Sequence, residues 1–168
     1  GKTSLAEAML FRAGALSRVG RVEDGSTVCD HEPAEKEIGH SLTTALAVLE
    51  WQGHKINLLD TPGAFDFAGE AVGAMAVADL AVFVVDASSG LDHATVDLWR
   101  QAASRSLPRL LFVNKLDRTG ADVAAVVADL KNRFSPDTVL VNQPVAEGTP
   151  DASVAELDED RLQILAET

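Results

Sequence analysis

Lys55-Ile56-Asn57-Leu58-Leu59-Asp60-Thr61-Pro62-Gly63 is an apolar strand pattern that ends on a carboxylate and stops at a Pro-Gly pair. Just upstream, Leu42 to Trp51 reads as a second strand, joined to it by a turn at Gln52-Gly53. Downstream, Leu80-Ala81-Val82-Phe83-Val84-Val85 is a continuous apolar run, the pattern of a strand buried on both faces. Leu110 to Val113 repeats that pattern, and Thr138 to Val141 is a short strand candidate. Helical stretches lie between them. Lys2 to about Arg18 carries Leu5, Ala8 and Met9 at i, i+3, i+4 spacing, and Phe67 to Ala78 is Ala-rich. His93 to Ser106 reads as a helix that stops before Pro108. In 121–134, Val123, Val126, Val127, Leu130 and Phe134 form an amphipathic stripe. Alternating strands and helices predict an α/β fold with a mostly parallel sheet, whose ligands bind at the carboxyl ends of the strands.

Composition narrows the class. The 168 residues suit one domain, and 46% hydrophobic with 24% charged residues is a globular balance. Fourteen basic against twenty-six acidic residues give a net charge of −12. Such a surface repels phosphate backbones on average, so no sequence-specific nucleic-acid partner is expected. No apolar run approaches the roughly 18 residues that cross a bilayer, so no membrane partner is expected either. Cys29 stands alone and cannot form an internal disulfide, which suits a reducing, cytoplasmic setting. The chain opens on Gly1-Lys2-Thr3 in place of an initiator Met. Gly20 to Gly39 reads as one loop of about 20 residues, long enough to be functional or mobile.

Three short motifs carry the chemistry. Gly1-Lys2-Thr3-Ser4 matches the tail of a phosphate-binding loop: Gly lets backbone N–H groups approach phosphate, Lys neutralises it, and the Thr hydroxyl ligates Mg²⁺ at a helix N-terminus. Taken alone it is a weak signal and reads first as an ordinary helix start. Asp60-Thr61-Pro62-Gly63 places a carboxylate for the Mg²⁺ hydration shell and a Gly N–H for the γ-phosphate, or is only a strand ending in a turn. In Asn114-Lys115-Leu116-Asp117 the last carboxylate can accept the N1–H and 2-amino hydrogens of guanine, a pair adenine lacks. There Asn114 would brace the loop and the Lys115 stem would lie along the ring; the plain alternative is a loop of mixed charges. Coming in this order, each at a strand end or helix start, the three together read as a P-loop GTPase pattern.

The loop identifies the branch. Gly20-Arg21-Val22-Glu23-Asp24-Gly25, Asp30 and Glu35-Lys36-Glu37-Ile38-Gly39-His40-Ser41 resemble the switch I region of bacterial elongation factor G without a gap. Gly53 to Gly63, Asp66-Phe67, Trp99 to Ala102 and Phe112 to Arg118 are also similar to that family, so the resemblance runs from residue 1 to about 143. It implies a Ras-like, three-layer P-loop NTPase fold that binds GTP and GDP with Mg²⁺ and hydrolyses GTP on the ribosome, in translocation or recycling. By the same resemblance Gly1, Lys2, Thr3 and Ser4 hold phosphates. Thr3, Ser41 and Asp60 serve Mg²⁺, Asp60 and Gly63 belong to switch II, and Asn114, Lys115 and Asp117 read guanine.

Three positions depart from the family. Ser41 stands where Thr is usual and keeps a hydroxyl. Ile38-Gly39-His40-Ser41 replaces Arg-Gly-Ile-Thr and removes a cation. Ala64 occupies the position of the family's catalytic His, and a methyl group can neither orient nor deprotonate water. Losing such a group typically costs on the order of 10²–10⁴ in rate. No catalytic residue is therefore assigned, with His40 a weak candidate to compensate. That leaves a GTP-dependent ribosome-binding module with little hydrolysis as the alternative.

Other residues are read plainly. His31, His54 and His93 lack zinc-site spacing, and Trp51 and Trp99 are taken as packing residues. After Gln143 the composition turns to Pro, Gly, Glu and Asp. Residues 1–143 are thus taken as a partial GTP-binding domain, and 144–168 as an acidic segment that begins an insert. Within it, Leu157 to Ala166 is a possible short helix. The family fold also needs a first strand leading into the phosphate loop, a late guanine-facing loop and a closing strand and helix, so the chain is expected to be a segment truncated at both ends.

Overall fold

The computed structural model describes residues 1–29, 41–63, 68–136 and 138–156. They form two compact units, one of Gly1–Ala81 with Asp97–Leu110 and one of Val82–Val96 with Leu111–Thr168.

The first unit is built on helix α1 (Lys2–Arg12) and a hairpin of β1 (Ala45–Trp51) and β2 (His54–Asp60). The helix was expected to reach about Arg18, and it stops six residues earlier. Gly14 takes φ 76, its N–H donates to the Phe11 carbonyl (3.0 Å), and the Ala15 N–H donates to Leu10 (2.9 Å). These two bonds satisfy carbonyls that the helix end would leave open, so a left-handed Gly ends it. The hairpin turn falls at Gln52-Gly53 as expected, with φ 48 and 79, a two-residue turn whose twist suits antiparallel strands. Its register pairs Trp51 with His54 and Ala45 with Asp60. Along β1, Ala45, Ala47 and Leu49 are buried against Ala6 and Leu10 of α1, with Cys29 beside them, while Leu46 and Val48 point outward. Helix α2 (Ala68–Met75) follows, burying Ala71 and Met75. Its Glu70 accepts from both the N–H (3.0 Å) and hydroxyl (2.8 Å) of Thr44, at the mouth of β1. The expected helix start at Phe67 lies outside the described residues.

Strand β3 (Ala81–Asp86), helix α3 (His93–Ser104) and strand β4 (Arg109–Asn114) form a β-α-β run. Ala81 N–H donates to Pro108 and Ala87 N–H to Asn114, both 2.9 Å. The constant offset between partners means that the two strands run parallel. Both strands were expected to be buried on both faces. Instead, Val85, Leu111 and Val113 pack against Val126 and Leu130, while Val82, Leu110 and Phe112 are exposed. The reason is that, among the described residues, this sheet has two strands and one packed face. Helix α4 (Val123–Arg133) supplies that cover, buries Val123, Val126 and Leu130 as its spacing predicts, and is capped by Asp122, which accepts from Ala125 N–H (2.8 Å).

Thr138 to Val141 is not a strand. Thr138 folds back, its hydroxyl donating to the Ser135 carbonyl (2.8 Å), and Val139 to Val141 remain exposed, with no strand paired to them among the described residues. The strand comes one step later, as β5 (Asn142–Val145), antiparallel to β6 (Ser153–Glu156). The helix expected over Leu157 to Ala166 lies outside the described residues.

Candidate functional site

Two groups of predicted site residues can be located, one in each unit. In the first, Gly1 caps α1 and its carbonyl accepts the Leu5 N–H (3.0 Å), the first bond of the helix. The Gly1 amino group donates to the Ser4 hydroxyl (3.3 Å). Lys2 reaches from this helix mouth to the end of β2: a Cβ added at Gly63 would lie 2.7 Å from its Nζ. A positive charge thus rests against the bare backbone of Gly63. Thr3 is buried, and its hydroxyl lies 3.5 Å from that of Ser41, 38 residues away in the chain. Asp60 is buried at the carboxyl end of β2. Hydroxyl and carboxylate oxygens are the donors a hard dication such as Mg²⁺ prefers, so the residue types fit it. His40 and Ala64 lie outside the described residues.

The second group follows β4. Asn114 turns its side-chain carbonyl oxygen to the Lys115 N–H (2.8 Å), and Lys115 takes a left-handed φ of 60. That conformation is uncommon for a side-chain-bearing residue, and the Asn114 contact is one of the bonds that hold it. Lys115 Nζ donates to Asp86 Oδ2 at 2.7 Å, and Arg118 lies 3.4 Å from the same oxygen. The other Asp86 oxygen accepts from the N–H (2.9 Å) and hydroxyl (2.6 Å) of Ser88. Lys115, then Ser88, hold the Asp86 carboxyl far below the usual carboxylate range. The loop is closed from behind by Gly148, whose N–H donates to the Leu116 carbonyl (2.7 Å), and by Glu147, which accepts from Val123 (2.9 Å). Asp117 is exposed at the loop's rim.

Asp86, Glu147 and Gly148 had not been picked out in the sequence. Asp86 ends an apolar strand as Asp60 does, which was the available signal. For Glu147 and Gly148 no local pattern stood out.

The Asp86 geometry carries a stability prediction. A depressed carboxyl stabilises the fold above its unfolded pKa of about 3.9, and that contribution is lost as pH falls toward the folded value. Asp86→Asn should therefore cost about 1 kcal/mol above roughly pH 5, a modest figure because Lys115 is 36% exposed and screened. Denaturant melts at falling pH should show a constant difference between variant and parent down to about pH 4 and a narrowing one below it, toward the depressed folded value.

Cations and hydroxyls at a helix mouth, set against a strand ending in Asp-Thr-Pro-Gly on an α/β scaffold, define a P-loop NTPase. The chain belongs to the elongation factor Tu GTP-binding domain family, which matches residues 1–165. It is 41% identical over 165 residues to elongation factor G 2 of Streptomyces coelicolor, covering 98% of this chain and 24% of that protein. It is 40% identical over 147 residues to mitochondrial ribosome-releasing factor 2 of Candida dubliniensis, covering 88% of this chain and 18% of that one. A crystal structure from Thermus thermophilus superposes with a TM-score of 0.83 at 34% identity, over 99% of this chain and 28% of the other. The chain thus spans a quarter or less of the curated relatives it matches.

Proposed function

We propose that this chain is the guanine-nucleotide-binding portion of a ribosome-associated translational GTPase of the elongation factor G kind, converting GTP and water to GDP and phosphate in translocation or ribosome recycling. The observation that carries the reading is the Lys2 ammonium lying against Gly63 at the end of β2. A lysine so placed, with the Thr3 and Ser41 hydroxyls facing each other, is arranged for a phosphate chain and its metal.

In this reading Gly1, Lys2, Thr3 and Ser4 hold the phosphates, and Thr3, Ser41 and Asp60 serve Mg²⁺. Gly63 offers its N–H to the terminal phosphate, and Asn114, Lys115 and Asp117 recognise guanine. Asp86 is added as the anchor that fixes the Lys115 stem. Residues 1–143 constitute the nucleotide-binding part, and 144–168 begin an acidic insert. No helix among the described residues is long and apolar enough to cross a membrane, and the ribosome in the cytoplasm is the proposed setting. Ala64 supports a second reading, a nucleotide-dependent ribosome-binding module with little hydrolysis.

Single-turnover GTP hydrolysis by the full-length protein, with and without ribosomes, separates the two. Ribosome-stimulated phosphate release supports the enzyme. GTP-dependent ribosome binding without release supports the module, and failure to bind guanine nucleotides overturns both.

A further inference from the structure

Residues 115–122, which carry Asp117 between β4 and α4, are held in part by bonds from their own backbone. Arg118 N–H donates to the Lys115 carbonyl (3.1 Å), Ala121 N–H to Arg118 (3.0 Å), and Asp122 N–H to Ala87 (3.2 Å). Two further backbone groups are met by two consecutive residues far along the chain. Gly148 N–H donates to the Leu116 carbonyl at 2.7 Å, one residue before Asp117. Glu147 Oε2 accepts the Val123 N–H at 2.9 Å, where α4 begins. That N–H is one of the donors a helix start leaves open, and a carboxylate is the acceptor the helix dipole favours there.

Glu147 and Gly148 lie in the turn between β5 and β6, whose pairing runs from Asn142 with Glu156 to Val145 with Ser153. In this turn Ala146 takes φ 54 and Gly148 φ 80. A left-handed alanine is uncommon and persists only where its surroundings hold it. The Thr149 hydroxyl does so by donating to the Ala146 carbonyl (2.7 Å), and Ala152 N–H closes the turn on Thr149 (3.1 Å). A Cβ at Gly148 would lie 3.9 Å from the Arg118 carbonyl oxygen and 4.0 Å from that of Ala121, so the turn packs on the loop's backbone. Glu147 and Gly148 are half-buried, while Asp117 is exposed at the rim.

We infer that Glu147 and Gly148 are positioning residues for Asp117, and that the β5–β6 hairpin thereby sets how sharply the site selects guanine. The inference rests on the nucleotide-binding reading above, and all of its contacts lie within one of the two compact units. A carboxylate that must meet two hydrogens on one base edge needs a fixed backbone, because hydrogen bonds weaken steeply as their angles open. Asn114 and the Lys115–Asp86 pair hold the loop on the β4 side. Gly148 and Glu147 hold it on the α4 side. The effect therefore falls on recognition of the base.

Glu147→Ala takes this acceptor from the Val123 N–H. In the full-length protein, affinity for GDP should fall about tenfold, the size of one lost hydrogen bond. Inosine diphosphate keeps N1–H and lacks the 2-amino group, so it makes one of the two bonds to Asp117. With both bonds weakened alike, its affinity should fall only about threefold, and the preference for GDP over inosine diphosphate should shrink about threefold. A general loss of folded protein would lower both affinities by one factor and leave that preference unchanged. Glu147→Gln keeps an oxygen that accepts the Val123 N–H and should restore both values. Gly148→Ala strains a left-handed position in the same turn and should reproduce the Glu147→Ala pattern, which keeps the inference testable if that variant does not fold. An unchanged preference in both Ala variants would overturn the inference, whatever the affinities. So would a Gln variant as weak as the Ala variant. A parent protein that binds GDP no better than inosine diphosphate would instead remove Asp117 from base reading, and one that binds neither would overturn the nucleotide reading itself, the inference falling with each.

Discussion

Asp117→Asn is expected to weaken GTP binding on the order of a hundredfold or more and to raise affinity for xanthosine triphosphate. In the proposed role the carboxylate would accept two hydrogens from guanine, N1–H and one of the 2-amino group. Asn offers one acceptor and one NH₂ donor, so it meets N1–H but sets a donor against the 2-amino group. Xanthine carries a carbonyl in place of that amino group, which the Asn NH₂ can meet and the original carboxylate repels. Sites built on polar pairs reject the mismatched base by large factors because buried groups are left without partners. The supporting loop makes the swap clean. Asn114 and the Lys115–Asp86 pair fix the backbone before Asp117, and Gly148 holds Leu116, so none of those contacts is lost on exchange. Competition binding of the two triphosphates to the full-length protein is the test. An unchanged preference for GTP in the variant would remove Asp117 from the base-reading role.

What the sequence made legible was local. The three motifs each sit within four consecutive residues, and the Gln52-Gly53 turn announces its hairpin by chemistry that needs no tertiary context. The errors arose where tertiary partners decide. Ala13, Ala15 and Leu16 all favour helix, so the stripe of α1 read on past Gly14, although a single left-handed residue ends it. Thr138 to Val141 is rich in strand-forming side chains, but strand propensity is mostly packing against a neighbour, and there the chain turns back on Ser135. The exposed sides of β3 and β4 follow the same rule: an apolar run shows that a strand can be buried, and its neighbours settle on how many faces. In the candidate site, the nearness of Thr3 and Ser41 came only from family resemblance, since 38 residues separate them. Asp86 and Lys115 lie 29 positions apart and are joined by the parallel pairing of two strands, which no local pattern spells out.

Ala64→His in the full-length protein is expected to raise ribosome-stimulated GTP hydrolysis about tenfold to a hundredfold. The gain should appear in kcat with little change in GTP affinity, because an imidazole at this position acts on the attacking water and not on the bound nucleotide. The expected gain is smaller than the loss seen when such a group is removed, since the surrounding shell has not been shaped to hold an imidazole. The immediate neighbours set the terms. Lys2 lies against Gly63, the residue just before, so a positive charge already stands near the place where negative charge would develop. Pre-steady-state phosphate release with purified ribosomes measures the outcome directly. If the parent protein already hydrolyses as fast as relatives that carry the His, another group has taken the role, and His40 is the first to replace with Ala. If neither the parent nor the variant releases phosphate while both bind ribosomes with GTP, water positioning is not what limits the protein, and the nucleotide-dependent binding module becomes the better account.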